Sequence, residues 1–335
     1  MRASPQPTVS IVLPTFNRVR FLRPTVESAF AQTFTDWELI IADDGSEADT
    51  REYLRGLSSE PRVKLLWLSH TGIPAIVRNA ALSEARGEYV AFLDSDDLWA
   101  PQKLQRQVEA LGKVGCSWIY TAFSQIDESG QPLSEEVHRR WVPYQGPVFE
   151  RVVTGEVSIR TPSVLAVREL VMRLGGFDET IPSAEDYDLW MRIALESDLA
   201  LIDEPLVYVR RHNENHSRTW HTAYLGREHS LEKLQSRVNP ARCALLRRER
   251  MRNGLGLAAT YGVLGERREV RRTLGSAFGY SWSYPQWWLK ALRILIRGYL
   301  PRRLLDFYRV RLCRTSRPPP TKDSGHRRRA GGFGT

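Results

Sequence analysis

Cysteine is scarce in this sequence. Cys116, Cys243 and Cys313 are the only three in 335 residues, and they stand far apart with no paired spacing. That excludes the short-spaced thiol pairs of a zinc site and a disulfide framework, and it suits a reducing cytosol. Long apolar runs are missing as well: no stretch approaches the roughly eighteen apolar residues of a membrane span. The first residues are polar, and Val9-Ser10-Ile11-Val12-Leu13 is too short for the core of a secretory signal, so none is expected. No glycine precedes Gly45. A dinucleotide-binding fold needs G-x-G-x-x-G directly after its first strand, so that backbone can approach a pyrophosphate. The G-x-x-x-x-G-K-[ST] phosphate loop is also absent, and no internal repeat is evident.

Charge is present in quantity but unevenly. Residues 1–239 hold 26 Lys and Arg against 34 Asp and Glu, while residues 240–335 hold 22 against 5, so the net charge of +9 is −8 in front and +17 behind. An acidic front and a basic rear imply different partners for the two parts, a substrate in front and an anionic surface behind.

The front half alternates. Val9–Leu13, Trp37–Ala42, Val63–Leu68 and Tyr89–Leu93 are short apolar runs, and helical spacing fills Arg20–Gln32, the segment to about Leu57, and Pro74–Ala85. This predicts a Rossmann-like α/β unit, a mostly parallel sheet flanked by helices. Two strands end in acids, Asp43-Asp44 and Asp94-Ser95-Asp96-Asp97. Ligands of open α/β sheets bind at that rim. Crowded carboxylates repel one another unless a cation is present, and Mg²⁺ commonly binds one or two carboxylates plus substrate phosphates. Asp94-Ser95-Asp96 therefore suggests a holder for a metal–diphosphate. An acidic turn would read the same in isolation.

Four blocks taken together are more specific. Ile11-Val12-Leu13-Pro14-Thr15-Phe16-Asn17-Arg18, Ile41-Ala42-Asp43-Asp44-Gly45-Ser46, Arg78-Asn79-Ala80-Ala81-Leu82 and Leu93-Asp94-Ser95-Asp96-Asp97 occur in order. From about Val9 to Ser217 the chain resembles the family 2 inverting glycosyltransferases of GT-A fold. The resemblance implies that Pro14, Thr15 and Asp43 contact the nucleobase. It puts Arg78 near the base or diphosphate and Asp94 near the ribose or the metal's water shell. Asp96 would ligate Mg²⁺ or Mn²⁺ directly. Asp44 is expected to support the loop. Gly175-Gly176-Phe177-Asp178-Glu179 would help line the acceptor side, although a helix C-cap accounts equally for the glycines. Asp186, in Glu185-Asp186-Tyr187-Asp188-Leu189-Trp190, matches the family's catalytic base. Ser183 is expected to cap that helix, whose dipole favours its acids. Arg211 and His212 match the family's block near the donor phosphates.

Beyond Trp220 the resemblance fades into helices near residues 223–234, 242–264 and 266–278. In 286–300, Lys290, Arg293 and Arg297 fall on one stripe, with Trp288, Leu292, Leu295 and Tyr299 opposite, the pattern of an interfacial helix on an anionic membrane and equally of a helix packed on the catalytic unit with a solvated stripe. The division expected is a catalytic unit over 1–219, a basic helical extension over 220–314 and a disordered tail over 315–335. The activity implied is transfer of a sugar from a nucleotide-diphosphate sugar, UDP-linked, to a saccharide or lipid-linked acceptor, at the cytoplasmic face of a membrane. Two rivals are a sugar-phosphate nucleotidylyltransferase, which lacks its glycine loop here, and a nucleic-acid or membrane binder built on the basic half. Nucleic acid is disfavoured because broad apolar surface interrupts the basic residues.

Overall fold

The computed structural model describes residues 6–133, 142–181, 183–212, 220–278 and 285–299, with backbone alone at 220, 277–278, 285 and 297–299. Eight strands form one sheet: β1 Val9–Thr15, β2 Trp37–Asp43, β3 Val63–Trp67, β4 Tyr89–Phe92, β5 Leu98–Trp99, β6 Trp118–Ile126, β7 Leu165–Val167 and β8 Leu199–Arg210. Their order is β3-β2-β1-β4-β7-β6-β8-β5. The four strands read from the apolar runs pair in parallel, and beyond β4 the sheet is mixed: β7 is antiparallel to β4 and β6, and β6 is parallel to β8. The chain runs outward from β1 to β3, then returns to β1's other side as β4. That reversal is a topological switch point, where the strand ends open a crevice.

Helices cover both faces: α1 Val19–Phe30, α2 Ala48–Gly56 and α4 Lys103–Leu111 on one side, and α3 Pro74–Ser83, α5 Phe149–Thr154, α6 Arg168–Arg173 and α7 Glu185–Ala194 mainly on the other. Period-two alternation divides β1 between them. Ile11 and Leu13 pack with Leu22, Val26 and Leu104, while Val12 packs with Phe92, Trp118 and Trp190. Each such aliphatic side chain, fully buried, contributes about 1.5–3 kcal/mol. Pro24 lies inside α1 rather than in its first turn, because the helix begins at Val19.

The rear helices are α8 Trp220–Leu234, α9 Pro240–Leu264, α10 Arg267–Phe278 and α11 Pro285–Tyr299. Leu231 and Leu234 of α8 and Leu246 of α9 join the sheet's core. Met251, Ala258, Val270, Leu274, Trp287 and Ala291 form a smaller core of their own. The expected apolar face of α11 is rotated. Trp288 and Leu295 pack on that small core, but Leu292 is 54 % exposed, in line with Leu289 at 60 % and Ile296 at 52 %. The side chains of Arg297 and Tyr299, and the tail at 315–335, lie outside the described residues.

One close approach fixes the sheet's other edge. The Ser10 hydroxyl donates to Glu38 and accepts from Gly87 N at 2.8 Å, and Arg86 is bound to the same Glu38. A Cβ on Gly87 would stand 2.6 Å from Ser10 N and 2.8 Å from Tyr89 O, both backbone atoms. Gly87→Ala should therefore cost about 1–3 kcal/mol, as overpacking does. Denaturant unfolding checks it, and an unchanged midpoint would show that the strand ends can shift apart.

Candidate active site

Thr15 and Asp43 are register partners at the ends of β1 and β2, and Asp94 lies two residues beyond the end of β4 on β1's other side. Three parallel strands thus deliver the expected residues to one rim. Asn17, at φ 54°, turns the chain after β1; its amide donates to Ser46 Oγ and its side-chain oxygen accepts from Glu47 N. Asp43 is buried, with both carboxylate oxygens 3.2 Å from Ser46 N. Thr15 Oγ1 is buried and has no hydrogen-bond partner among the described residues. Asp44 supports the neighbouring loop by accepting from Thr71 N and Gly72 N. On that loop His70 stacks on Phe16 with ring centroids 4.2 Å apart, an aromatic pair that the residue blocks did not announce.

The acid loop divides its labour. Asp96 Oδ2 lies 2.8 Å from Arg18 NH1 and 2.9 Å from His212 Nε2. Burial pushes the Asp96 carboxyl upward, but the His212 hydrogen bond and the Arg18 charge more than offset this and hold it below the ordinary carboxylate range. Asp97 points inward and accepts from Arg210 N at 2.8 Å; burial, then the charges of Asp96 and Asp94, push its carboxyl well up. Arg210 also donates from Nε to the Asp96 carbonyl and from NH1 to the Glu128 carbonyl, tying β8 to the loop. Ser95 is buried, its carbonyl accepting from Thr25 Oγ1. Arg211 turns instead to Gln125, donating from Nε at 2.9 Å.

Arg78 is the buried link between the acid loop and α7. Its NH2 is 2.7 Å from Asp94 Oδ1, and its NH1 is ion-paired with Glu185. Burial opposes the guanidinium's charge, but the two carboxylates more than compensate and raise its pKa. Both partners are raised by burial, partly relieved by Arg78. Helix α7 starts at Glu185, and Asp186 follows, accepting from Thr161 Oγ1 at 2.8 Å through Oδ2. Ser183 does not cap α7: the N-cap position is Ala184 at φ 63°, in the left-handed region. Asp188 is buried and ion-paired with Arg192, which donates to the carbonyls of Leu174 and Gly176, so it fastens the glycine turn.

Among the described residues no three His, Cys, Asp or Glu side chains converge enough to hold an ion unaided. Asp96 with His212 is nevertheless a paired oxygen and nitrogen donor set at the rim. It suits a hard cation that takes its remaining ligands from phosphate and water.

Comparison with known proteins agrees with this arrangement. The profile described as "Glycosyl transferase family 2" matches residues 10–171. The Escherichia coli UDP-Glc:alpha-D-GlcNAc-diphosphoundecaprenol beta-1,3-glucosyltransferase WfgD is 30% identical over 195 residues, covering 58% of this chain and 73% of its own. An uncharacterized glycosyltransferase of Rickettsia felis is 32% identical over 202 residues, 60% of this chain and 33% of its own, so the chain spans about a third of that relative's length. Among solved structures, Staphylococcus aureus TarS 1–349 superposes with TM-score 0.55 at 18% identity, covering 87% of this chain and 80% of its own. The Pyrobaculum calidifontis mannosyltransferase PcManGT, in complex with GDP-Man and Mn²⁺, gives 0.56 at 19%, covering 88% and 86%. The fold is that of the GT-A glycosyltransferases. The chain belongs to glycosyl transferase family 2.

Removing Arg78 should expose what it neutralises. Arg78→Met strands the buried Glu185 carboxylate and the half-buried Asp94 carboxylate, and breaking a buried ion pair costs about 3–5 kcal/mol. Both carboxyls already sit above their ordinary values, and without Arg78 they rise further. The folded state then binds more protons than the unfolded state, so its stability falls as pH rises. The loss against wild type should be largest near neutral pH and shrink toward about pH 5.5. Denaturant unfolding at both pH values measures this; equal losses would mean that Arg78 contributes packing rather than charge.

Proposed function

We propose that the chain is an inverting glycosyltransferase, moving a sugar from a UDP-linked donor to an acceptor hydroxyl in the synthesis of a cell-surface polysaccharide or glycolipid. One observation carries this reading: Arg78 binds Asp94 and Glu185 at once, which sets Asp186 beside the acid loop. Inversion needs one in-line displacement, with a base for the acceptor proton and charge stabilisation for the leaving diphosphate. Asp186 takes the proton, its Oδ2 oriented by the Thr161 hydroxyl. Asp96 and His212 would hold Mg²⁺ or Mn²⁺, which when bound neutralises charge on the departing diphosphate. Pro14, Thr15 and Asp43 receive the nucleobase; the unsatisfied buried Thr15 hydroxyl supports this, since a ligand's polar edge would satisfy it. Asp94, Ser95 and Arg78 frame the ribose and diphosphate, the guanidinium acting through the carboxylates it already holds. TarS in complexes with UDP and with UDP-GlcNAc, and the UDP-glucose and diphospholipid in the WfgD name, support the donor class and a lipid-linked saccharide acceptor. PcManGT with Mn²⁺ supports the metal.

A panel of UDP- and GDP-sugars, with Mn²⁺, Mg²⁺ or EDTA, tests the reading through nucleoside diphosphate release. Release that is indifferent to EDTA removes the metal. No release or binding with any nucleotide sugar removes the function. Asp186→Asn keeps the side chain's shape and should lower kcat by about 10²–10⁴-fold, the usual contribution of a general base. UDP affinity should stay near wild type. Near-wild-type turnover in this variant would put the base elsewhere.

In this reading residues 1–219 are the catalytic unit, and the extension over 220–314 holds the enzyme to the cytoplasmic face of an anionic membrane. No described helix is long and apolar enough to cross one. The exposed Leu289, Leu292 and Ile296, beside exposed Lys290 and Arg293, support peripheral contact. Each Lys or Arg near such a surface contributes about 1 kcal/mol, screened by salt. The protein should sediment with phosphatidylserine vesicles at low salt and be released at high salt. Leu289→Ser, Leu292→Ser and Ile296→Ser together should abolish sedimentation, and unchanged sedimentation would rule out α11 as the contact.

A further inference from the structure

Arg160 falls within the profile match over 10–171 but in none of the residue blocks that carry the resemblance. It precedes a 3-10 turn over Thr161–Ser163, in extended backbone, and its carbonyl is bound by Ser163 N and Oγ. This fixes its position one residue from Thr161, whose hydroxyl holds Asp186. Its guanidinium lies 5.2 Å from the centroid of the Phe123 ring, and Nε is buried with no hydrogen-bond partner among the described residues. Three charges act on it. Asp186 and Asp97 attract it and Arg211 repels it. Neither carboxylate is hydrogen-bonded to it among the described residues: Asp97 Oδ1 accepts from Arg210 N, and the two oxygens of Asp186 accept from Thr161 Oγ1 and Tyr187 N. Among the described residues Arg211 is bonded at Nε, by the neutral Gln125 amide.

Two guanidiniums therefore stand in each other's field, the half-buried Arg160 next to the Thr161 that holds Asp186 and the exposed Arg211 on Gln125, with no carboxylate bonded to the Arg160 Nε among the described residues. Holding a cation away from water next to another cation is unfavourable, and an incoming oxyanion relieves it. The planar guanidinium fork matches phosphate oxygens, and two positive charges match a phosphate better than a single carboxylate. In the proposed function the donor's own diphosphate is received around Asp96, Arg18 and His212, and Arg211, which the resemblance put with the donor phosphates, is assigned to the acceptor instead. We propose that Arg160 and Arg211 form a phosphate-binding subsite on the acceptor side of Asp186, so that the enzyme selects acceptors carrying a phosphate near the reacting sugar. This rests on Asp186 being the base that marks the acceptor side.

Geranyl diphosphate is the probe, titrated calorimetrically into the full chain with UDP and Mn²⁺ held saturating, so that the donor's diphosphate position is already filled. Arg160→Gln should weaken the probe by about ten- to hundredfold, the value of a lost charged hydrogen bond. UDP affinity and the melting temperature should be unchanged, which also shows that the variant is folded. Arg160→Lys should recover part of the loss, since it restores charge without the fork. If Arg160→Gln weakens UDP to the same extent, the subsite serves the donor and the proposal fails. It fails equally if the wild-type UDP complex does not bind geranyl diphosphate, or if the variant binds it as well as wild type. A wild-type chain that binds no UDP would instead count against the proposed function, and the subsite is then judged on geranyl diphosphate alone.

Discussion

The guanidinium of Arg78, buried between Asp94 and Glu185, is the interaction on which the site depends. It comes from α3, takes one carboxylate from the loop after β4 and the other from the first residue of α7, and so ties three elements at one point. Asp186 is the next residue along, so its position follows from where Glu185 is held. The ionised carboxylates are tolerable in a buried place only because the cation is there, and the cation only because they are. That mutual dependence makes the junction stiff. The proposed base and the acid loop, on separate elements, need such stiffness to keep a fixed separation.

The parallel half of the fold was legible because its strands are buried on both faces and read as unbroken apolar runs. Val9–Leu13, Trp37–Ala42 and Tyr89–Leu93 needed no other signal, and parallel pairing then put Thr15, Asp43 and Asp94 on one rim. In the mixed half β6 was legible as a strand near Ser117–Phe123, but β7 and β8 were not. Strand β7 has only three residues, Leu165–Val167, and runs straight into α6, so no period can be counted. In β8 the exposed Asp203-Glu204-Pro205 interrupts twelve residues, and the register against β6 shifts there. The acid loop was found as a cluster, but its partition was not. That Asp96 faces Arg18 and His212 while Asp97 turns in toward Arg210 depends on contacts 78 to 116 residues distant in sequence. Arg18 belongs to a quoted block and Arg210 directly precedes Arg211, yet nothing local tells a structural arginine from one that meets a substrate.

Backbone strain marks the same places. Among the described residues, Asn17 and Ala184 are the two non-glycine positions with positive φ. Asn tolerates that conformation through local hydrogen bonds, and Asn17 makes them to the turn after β2. Ala184 has no such side chain, and the expectation that Ser183 would cap α7 misread this turn. A serine cap needs extended backbone at the cap position. The turn instead drives Ala184 left-handed, and α7 begins without a side-chain cap. A residue in that region costs on the order of 1–3 kcal/mol and persists only where its surroundings over-determine it. Here the Arg78–Glu185 pair directly follows, and it supplies the constraint.

Two kinds of arginine can therefore be told apart. Arg78, Arg192 and Arg210 are each committed to carboxylates or carbonyls that they help to place. Arg160 and Arg211 are not: the first touches an aromatic ring, the second a neutral amide. The distinction follows from geometry rather than from residue type, which is why composition could show only that the rear of the chain is basic. It also divides the labour of the rim. The committed arginines fix the shape of the crevice between β1, β4 and α7, and in the proposed reading the field of the uncommitted pair favours an anionic acceptor approaching Asp186. A negatively charged acceptor gains from that field before any contact forms, whereas a neutral one must desolvate Arg160 without compensation.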